Sequence, residues 1–476
     1  MRVTMSTYLT SKKQALKKLV HILSEKFAYV SILGTDVYGK DYAARKSGSS
    51  IRSSNWTERG FVVRVHNGIG YFEFSFNQLE DASLQQIADN ISSKAEAQLK
   101  LIKGRGININ SYPVIDEEEI EKSFFSEVQE LPCEIGDDEK LNRLSAIVQR
   151  GISCSEYLVN IIANYEEVHV SKLFISSRKQ LEQSYIWTQG IVYPIVRKKD
   201  NTRYTYESFS GLKGAELLDE MSGKVEGLVS TALSLLDALP PEPGEYDVIC
   251  TPEISGLIAH EAFGHGVEMD MFVKERAKAL EYLGKPVASK LVTMHDGAAA
   301  AKDISSYLFD DEGTLGTDTV IISDGILETG ISDLLSAMRL GTPPTGNGKR
   351  ESFERKAYAR MTNTFFSPGK STVKDMIKSI DNGYLLDVGM SGMEDPKNWG
   401  IQCMLLIGRE IKKGRLTGKI VSPVILTGYV PDLLKSISMV SDQVELFGSG
   451  ACGKGYKEWV KVSDGGPYIK ARVRLG

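Results

Sequence analysis

The chain reads as an α+β protein: an N-terminal helix and antiparallel-sheet domain, followed by a β-rich C-terminal domain that carries a helix with two histidines. Three observations predict this. Apolar residues recur at helical spacing in several stretches of the first half. Residues 156–211 switch to alternating β-branched and aromatic segments, the pattern of an antiparallel meander. LPPEPGEYD at 239–247 then places three prolines and a glycine where no helix can continue. That break sets the expected domains at 1–240 and 241–476.

Taken in order, Ala15, Leu16, Leu19, Val20, Leu23 and Phe27 predict an amphipathic first helix packed on its domain rather than a signal peptide. AYVSIL follows as a strand. GFVVRVHNGIGYFEFSF at 60–76 alternates around an HNG turn and predicts a hairpin. Leu84, Ile87, Ile91 and Leu99 set a second helix over 80–102, and two more are expected near 115–130 and 139–152. After the meander, a helix near 214–238 closes the half.

YDVICT, beyond the proline-rich break, predicts a buried strand leading into the histidine-bearing helix. From about 317 onward the pattern is short strands and glycine turns: VIISDGILETG is strand–turn–strand, and residues 401–428 form a run of short strands. GTPPTGNGK at 341–349 is expected to be irregular. The chain shows no internal repeat and no low-complexity tract.

Composition narrows the function classes. With 42% hydrophobic and 25% charged residues, the chain is a folded globular protein, not a disordered one. A net charge of −5 argues against a broad nucleic-acid surface, so direct nucleic-acid binding is not expected. No apolar run is long enough to span a membrane. Five scattered cysteines suit a reducing, cytoplasmic setting and leave a thiol free for metal or chemistry.

The chemistry concentrates in LIAHEAFGHGVEMD, residues 257–270. His260 and His265 are five apart, one more than in the zinc-helix signature H-E-x-x-H. At about 100° per residue, that offset leaves the rings roughly 140° apart on a regular helix. Two backbone solutions would aim both at one ion. A π-bulge widens the turn locally; alternatively the helix ends near Gly264 and glycine freedom swings His265 back. Read without a metal, the same pair is a hydrogen-bonded helix end.

A catalytic zinc site takes three protein ligands and keeps one position open. Cys250 and Cys403 sit in apolar runs and read as core thiols. Cys452, in FGSGACGKG, lies where glycines permit close approach, and its thiolate is a candidate third ligand. The same loop nearly matches a phosphate-binding G-x-x-x-x-G-K from Gly448 to Lys454, but Gly455 stands where Ser or Thr is needed and no helical pattern follows. Glu268 and Asp270 are placed to orient ligands from behind. His295 is the other candidate ligand, while His21, His66 and His169 receive structural roles.

Several segments together resemble the TldD/PmbA family, also called the modulator-of-gyrase family: HEAFGHGVEMD at 260–270, GTPPTGN at 341–347, RMTNTFFSPG at 360–369 and GACGKG at 450–455. RGFVVRVHNGIGYFEFSFNQL and GGPYIKARV add to it. The resemblance covers most of the chain and, because the H-E-x-x-x-H motif and the late cysteine are kept, is to the TldD kind of subunit rather than the PmbA (TldE) kind. It implies a cytoplasmic metallopeptidase acting on small or unfolded peptides, such as microcin-type precursors and small antitoxins. It also implies a PmbA/TldE-type partner subunit or a homodimer. By position, the metal ligands would be His260, His265 and Cys452, and Glu261 would be catalytic. After CGK this chain departs from the family pattern, with Gly455, Tyr456 and Lys457.

On that reading the cofactor is Zn²⁺, with another divalent ion as the alternative, and Glu261 serves as general base for a metal-activated water. Peptide would add as a strand to a sheet edge, with Asn363, Thr345 and Gly346 as candidate substrate contacts. The competing reading is a non-catalytic peptide-binding or modulator subunit with a structural or vestigial metal site. His295 or Asp270 as a fourth ligand would favour it.

Overall fold

Helix Thr7–Ser24 forms where the spacing puts it: Ser6 caps its first turn by accepting from the Leu9 amide at 3.3 Å, and Leu9, Leu16, Leu19 and Leu23 are buried along one face. In the computed structural model, residues 1–104, 111–454 and 457–476 are described. Gly455 and Tyr456, two of the three positions that depart from the family pattern, lie outside them.

The first half is a nine-stranded sheet with helices against it. Its main path runs Tyr71–Phe76, Glu58–His66, Val30–Arg45, Leu158–Ser176, Lys179–Lys198 and Ile120–Phe125. The expected hairpin at 60–76 is present, with Phe61 opposite Phe76 and His66 opposite Tyr71. The meander at 156–211 is also present, as two long strands and two short ones. AYVSIL proves to be only the start of a 16-residue strand, Val30–Arg45. A close backbone approach continues it past Gly39, where a Cβ would stand 2.3 Å from the Glu167 carbonyl oxygen.

Two helix expectations are corrected. The stretch near 115–130 holds a strand, Ile120–Phe125, parallel to Lys179–Lys198. Its run of acidic residues favours helix locally, but pairing with a sheet edge overrides that propensity. The 214–238 helix is two, Leu217–Ser222 and Val225–Ser234, separated at Gly223. Helix Asp137–Ser153 matches expectation, with three acids in its first turn.

The second half is built on a closed ring of five strands. Gly244–Cys250 pairs with Asn382–Glu394, which pairs with Gly400–Lys412, then Val424–Tyr429, then Ile469–Leu475, which returns to Gly244–Cys250. Closure removes free edges along the paired length. A second sheet, of six strands, includes Met294–Asp296, Asn363–Phe366 and Ser463–Gly466. Helix Pro252–Ala259 lies between ring and sheet. It approaches so closely that a Cβ on Gly256 would stand 2.4 Å from the Gly465 amide nitrogen. Of the stretch 341–349 expected to be irregular, residues 341–347 are, but Gly348–Lys349 pair with Tyr358–Ala359 as a short strand, because the pairing supplies partners that the glycine-rich sequence does not signal.

The two halves meet through buried ion pairs. Arg64 reaches Glu312, Arg350 reaches Glu73, and Lys172 reaches Asp311. Tyr206, from the first half, donates to the Gly389 carbonyl of the ring, beside Val388 with its positive φ of 57°. No helix is long and apolar enough to cross a membrane among the described residues.

Candidate metal centre

The strand Gly244–Cys250 delivers the chain to Thr251, and Pro252 starts the helix at a position where its missing N–H costs nothing. Ile254, Ile258 and Ala259 bury its inner face. The helix then widens. Residues His260–Gly264 form one π turn, closed by the His265 amide donating to the His260 carbonyl. Of the two backbone solutions, the widened turn is the one used, and a tight turn over His265–Val267 follows. The two imidazoles come to lie edge-on, with centroids 5.2 Å apart and planes at 89°. Gly264 is required at the turn: a Cβ there would sit 2.0 Å from the Met361 sulfur.

Cys452 arrives from a short hairpin, Ala451–Lys454 with Lys457–Lys461. Its Sγ lies 3.2 Å from His265 Nε2, and one ligand atom from each of His260, His265 and Cys452 lies within 4.8 Å of the others. Among the described residues no helix follows Lys454, so the loop gains no helix N-terminus from them to hold a phosphate. Burial alone would raise the Cys452 thiol, but the two imidazoles outweigh it and bring it down to about 5. The same contacts raise both histidines against the opposing effect of burial. A thiolate and two imidazoles, the His260 Nδ1 buried and without a hydrogen bond, form a donor set that fits zinc.

Carboxylates stand behind both histidines. Asp464 Oδ2 is 3.6 Å from His260 Nδ1, and Glu268 Oε2 is 3.5 Å from His265 Nδ1. Glu268 is 1% exposed and sits between Arg360 Nε, at 3.3 Å, and Lys454 Nζ, at 3.0 Å. Burial opposes its charge, yet Lys454, His265 and Arg360 hold the carboxyl well below the usual range. Arg360 also donates to the Cys452 carbonyl at 2.8 Å and to the Glu458 carbonyl, tying the hairpin to the widened turn. Burial pushes Asp464 up to about 6.

The centre opens on a cleft of about 470 Å³, lined among others by Glu261, Met271, Met393 and Glu394. Glu261 lies against Gly392, where a Cβ would come within 2.3 Å of its Cγ. Glu394, chiefly through burial, is pushed up to about 9.

Other expected site residues are placed elsewhere. Asn363 is fully buried; its amide donates to the Gly297 carbonyl at 2.9 Å and to Ser306 at 3.0 Å, and it accepts from Ser463 at 2.6 Å. The Thr345 hydroxyl donates to Asn347 Oδ1 at 2.8 Å. Gly346 adopts φ 71° with the Leu315 carbonyl 2.4 Å from a would-be Cβ. These three shape loops and core, and none lines the cleft. Asp270 is held by Lys454 and Lys274. His295 pairs with Asp318 at 2.7 Å and stacks on Phe365, outside the ligand cluster.

Arg360, Asp464 and Glu394 were not singled out by sequence reasoning, and Lys454 entered it only as the lysine of the near phosphate-binding match. Arg360 opens one of the segments that carry the family resemblance; Asp464 and Glu394 have no spacing signal, because they come from strands remote in sequence.

Residues 243–473 match the family described as the PmbA/TldA metallopeptidase C-terminal domain. A metalloprotease of Methanocaldococcus jannaschii is 31% identical over 317 residues, covering 66% of this chain and 69% of that protein. The chain belongs to the PmbA/TldD family. A zinc metalloprotease TldD homolog of Saccharolobus solfataricus is 27% identical over 340 residues, covering 71% of this chain and 75% of its own length. In fold, a Thermotoga maritima protein described as a candidate modulator of a DNA gyrase aligns with TM-score 0.78 at 16% identity, covering 98% of this chain and 100% of its own. TldE from Thermococcus kodakarensis aligns at 0.74 and 17%, covering 97% and 100%. This PmbA/TldD chain thus has metalloproteases among its relatives and shares its α+β fold with both structures.

Proposed function

We propose that the chain is a zinc-dependent peptidase that cleaves small or unfolded peptides. The observation that carries this is the convergence of His260, His265 and Cys452, brought from distant segments to one face of an open cleft beside Glu261. These three residues would hold the ion. A bound zinc ion supplies a Lewis acid for the scissile carbonyl and acidifies water toward neutral pH. Glu261 takes the proton of the attacking water and hands it to the leaving amine. Asp464 and Glu268 fix the two imidazole planes. Peptide enters as an extended strand against the stretch 390–394, whose side away from Gly400–Lys412 pairs with no strand among the described residues, Gly389 being engaged already by Tyr206 and Glu253.

The same reading divides the chain into units of 1–240 and 241–476, with the site in the second. Five free cysteines suit a cytoplasmic setting. Similarity in fold to a TldE favours a partner subunit of that kind, with a homodimer as the alternative. The structural-zinc reading gains nothing from Asp270 or His295, both engaged elsewhere.

The test is Glu261→Gln. It should abolish cleavage of an unfolded peptide while zinc content stays stoichiometric. Cleavage that survives the substitution removes Glu261 as the base, and cleavage indifferent to chelator removes the metal.

A further inference from the structure

Among the described residues, one carboxyl group on the cleft wall has no lysine or arginine beside it. Both oxygens of Glu394 are buried and lack a hydrogen-bond partner. Glu394 ends the strand Asn382–Glu394, two residues beyond Gly392, so the two positions share a face. Gly392 lies over Glu261, and Glu394 Oε1 stands 3.5 Å from where a Cβ on Gly266 would be. The strand therefore covers the residue after each histidine, and its own carboxyl lies on the His265 side. The charged groups acting on Glu394 are His265, Glu261, Asp395 and Glu268. Only His265 among them could be a cation, and it serves as a ligand. Lys454, the cation of the cleft lining, is already engaged by Glu268 and Asp270. Buried without a partner, this carboxyl favours its neutral form, and an arriving cation stabilises the charged one.

Resting on the peptidase reading above, we propose that Glu394 is the specificity-determining residue of the cleft. It binds the free α-ammonium of a peptide, and the chain removes residues from unblocked N-termini. The α-ammonium is compact, offers three N–H donors and lies only about 2.5 Å from the carbonyl carbon of its own residue. Held at Glu394, it carries the first peptide bond into the cleft. In the reaction the first peptide C–N bond breaks, the hydroxyl of water goes to the carbonyl carbon, and its proton goes to the leaving amine. No other reactant is needed.

The experiment compares two peptides of one sequence, with a free or an acetylated N-terminus, on the parent chain, Glu394→Gln and Glu394→Asp. Zinc is measured in each protein, and calorimetry follows binding of both peptides to Glu261→Gln. The parent should release the first residue of the free peptide with a KM at least tenfold below that of the acetylated one. Glu394→Gln should erase that difference with zinc unchanged, and Glu394→Asp should restore part of it. Glu261→Gln should bind the free peptide at least tenfold more tightly. Equal KM values in the parent, discrimination that survives Glu394→Gln, or zinc lost from Glu394→Gln would each overturn the assignment and leave the peptidase reading standing. If the parent, alone and with a TldE-type partner subunit added, cleaves neither peptide, the peptidase reading itself fails and the assignment falls with it.

Discussion

Replacing Glu268 with Gln removes one charge, itself fully buried, from a largely buried cluster and leaves the shape nearly unchanged. The side chain faces Arg360 Nε at 3.3 Å, Lys454 Nζ at 3.0 Å and His265 Nδ1 at 3.5 Å, and it is 1% exposed. Removing one partner of a buried ion pair costs about 3–5 kcal/mol, because the other charge is stranded. Lys454 keeps Asp270 at 2.6 Å, so the low end, about 3 kcal/mol, applies. For a unit of roughly 235 residues that is a fall in Tm of about 6–12 °C. Loss of the carboxylate behind His265 should also weaken zinc binding by about 10–100-fold.

The pH dependence has a defined sign. The folded carboxyl is depressed, so its stabilisation is present above the unfolded pKa of about 4.3 and fades as pH falls below it. The Tm gap between parent and Glu268→Gln should therefore be full at pH 7 and shrink below about pH 4. Thermal unfolding with and without chelator, together with competitive zinc titration, measures both effects. A variant with unchanged Tm and zinc affinity would show that the cluster neither supports the fold nor orients His265.

Asp464→Asn should lower zinc affinity by about 10–100-fold with a smaller change in stability, read by the same titration. In the metal-free protein Cys452 should alkylate as a thiolate down to about pH 5, and zinc should protect it; mass spectrometry of the modified peptide checks both. Asn363→Ala should destabilise by about 1–3 kcal/mol, by stranding the Gly297 carbonyl and the Ser463 hydroxyl, and leave KM for peptide unchanged. A raised KM without loss of stability would return Asn363 to the cleft.

The elements legible in the sequence were those whose burial follows a simple period. The first helix, the hairpin of Glu58–His66 and Tyr71–Phe76, and the meander each bury one face, and their apolar residues say so. Ile120–Phe125 was misread because a parallel edge partner, not local pattern, decides its conformation. Closure of the five-strand ring was invisible for a related reason: it depends on Ile469–Leu475 meeting Gly244–Cys250, and no local signal records that pairing. At the site, His260, His265 and Cys452 stood out by residue type and glycine surroundings. Glu268 was legible as a neighbour of His265, whereas Asp464, Arg360 and Glu394 were not, since ordinary charged residues acquire roles only through what the fold sets beside them. Asn363 shows the converse: a polar residue in a distinctive motif that satisfies buried backbone.

The widened turn at His260–Gly264 amounts to one extra residue in the helical ladder, which rotates everything after it by about 100°. Glu268 owes its place beneath His265 and beside Lys454 to that rotation, as does Asp270. Deleting a residue from the turn to regain the shorter zinc-helix spacing would swing both acids off the hairpin that delivers Cys452. The longer spacing is thus not a loosened copy of the shorter one. It is geared to its cysteine, and the two could be exchanged only as a set.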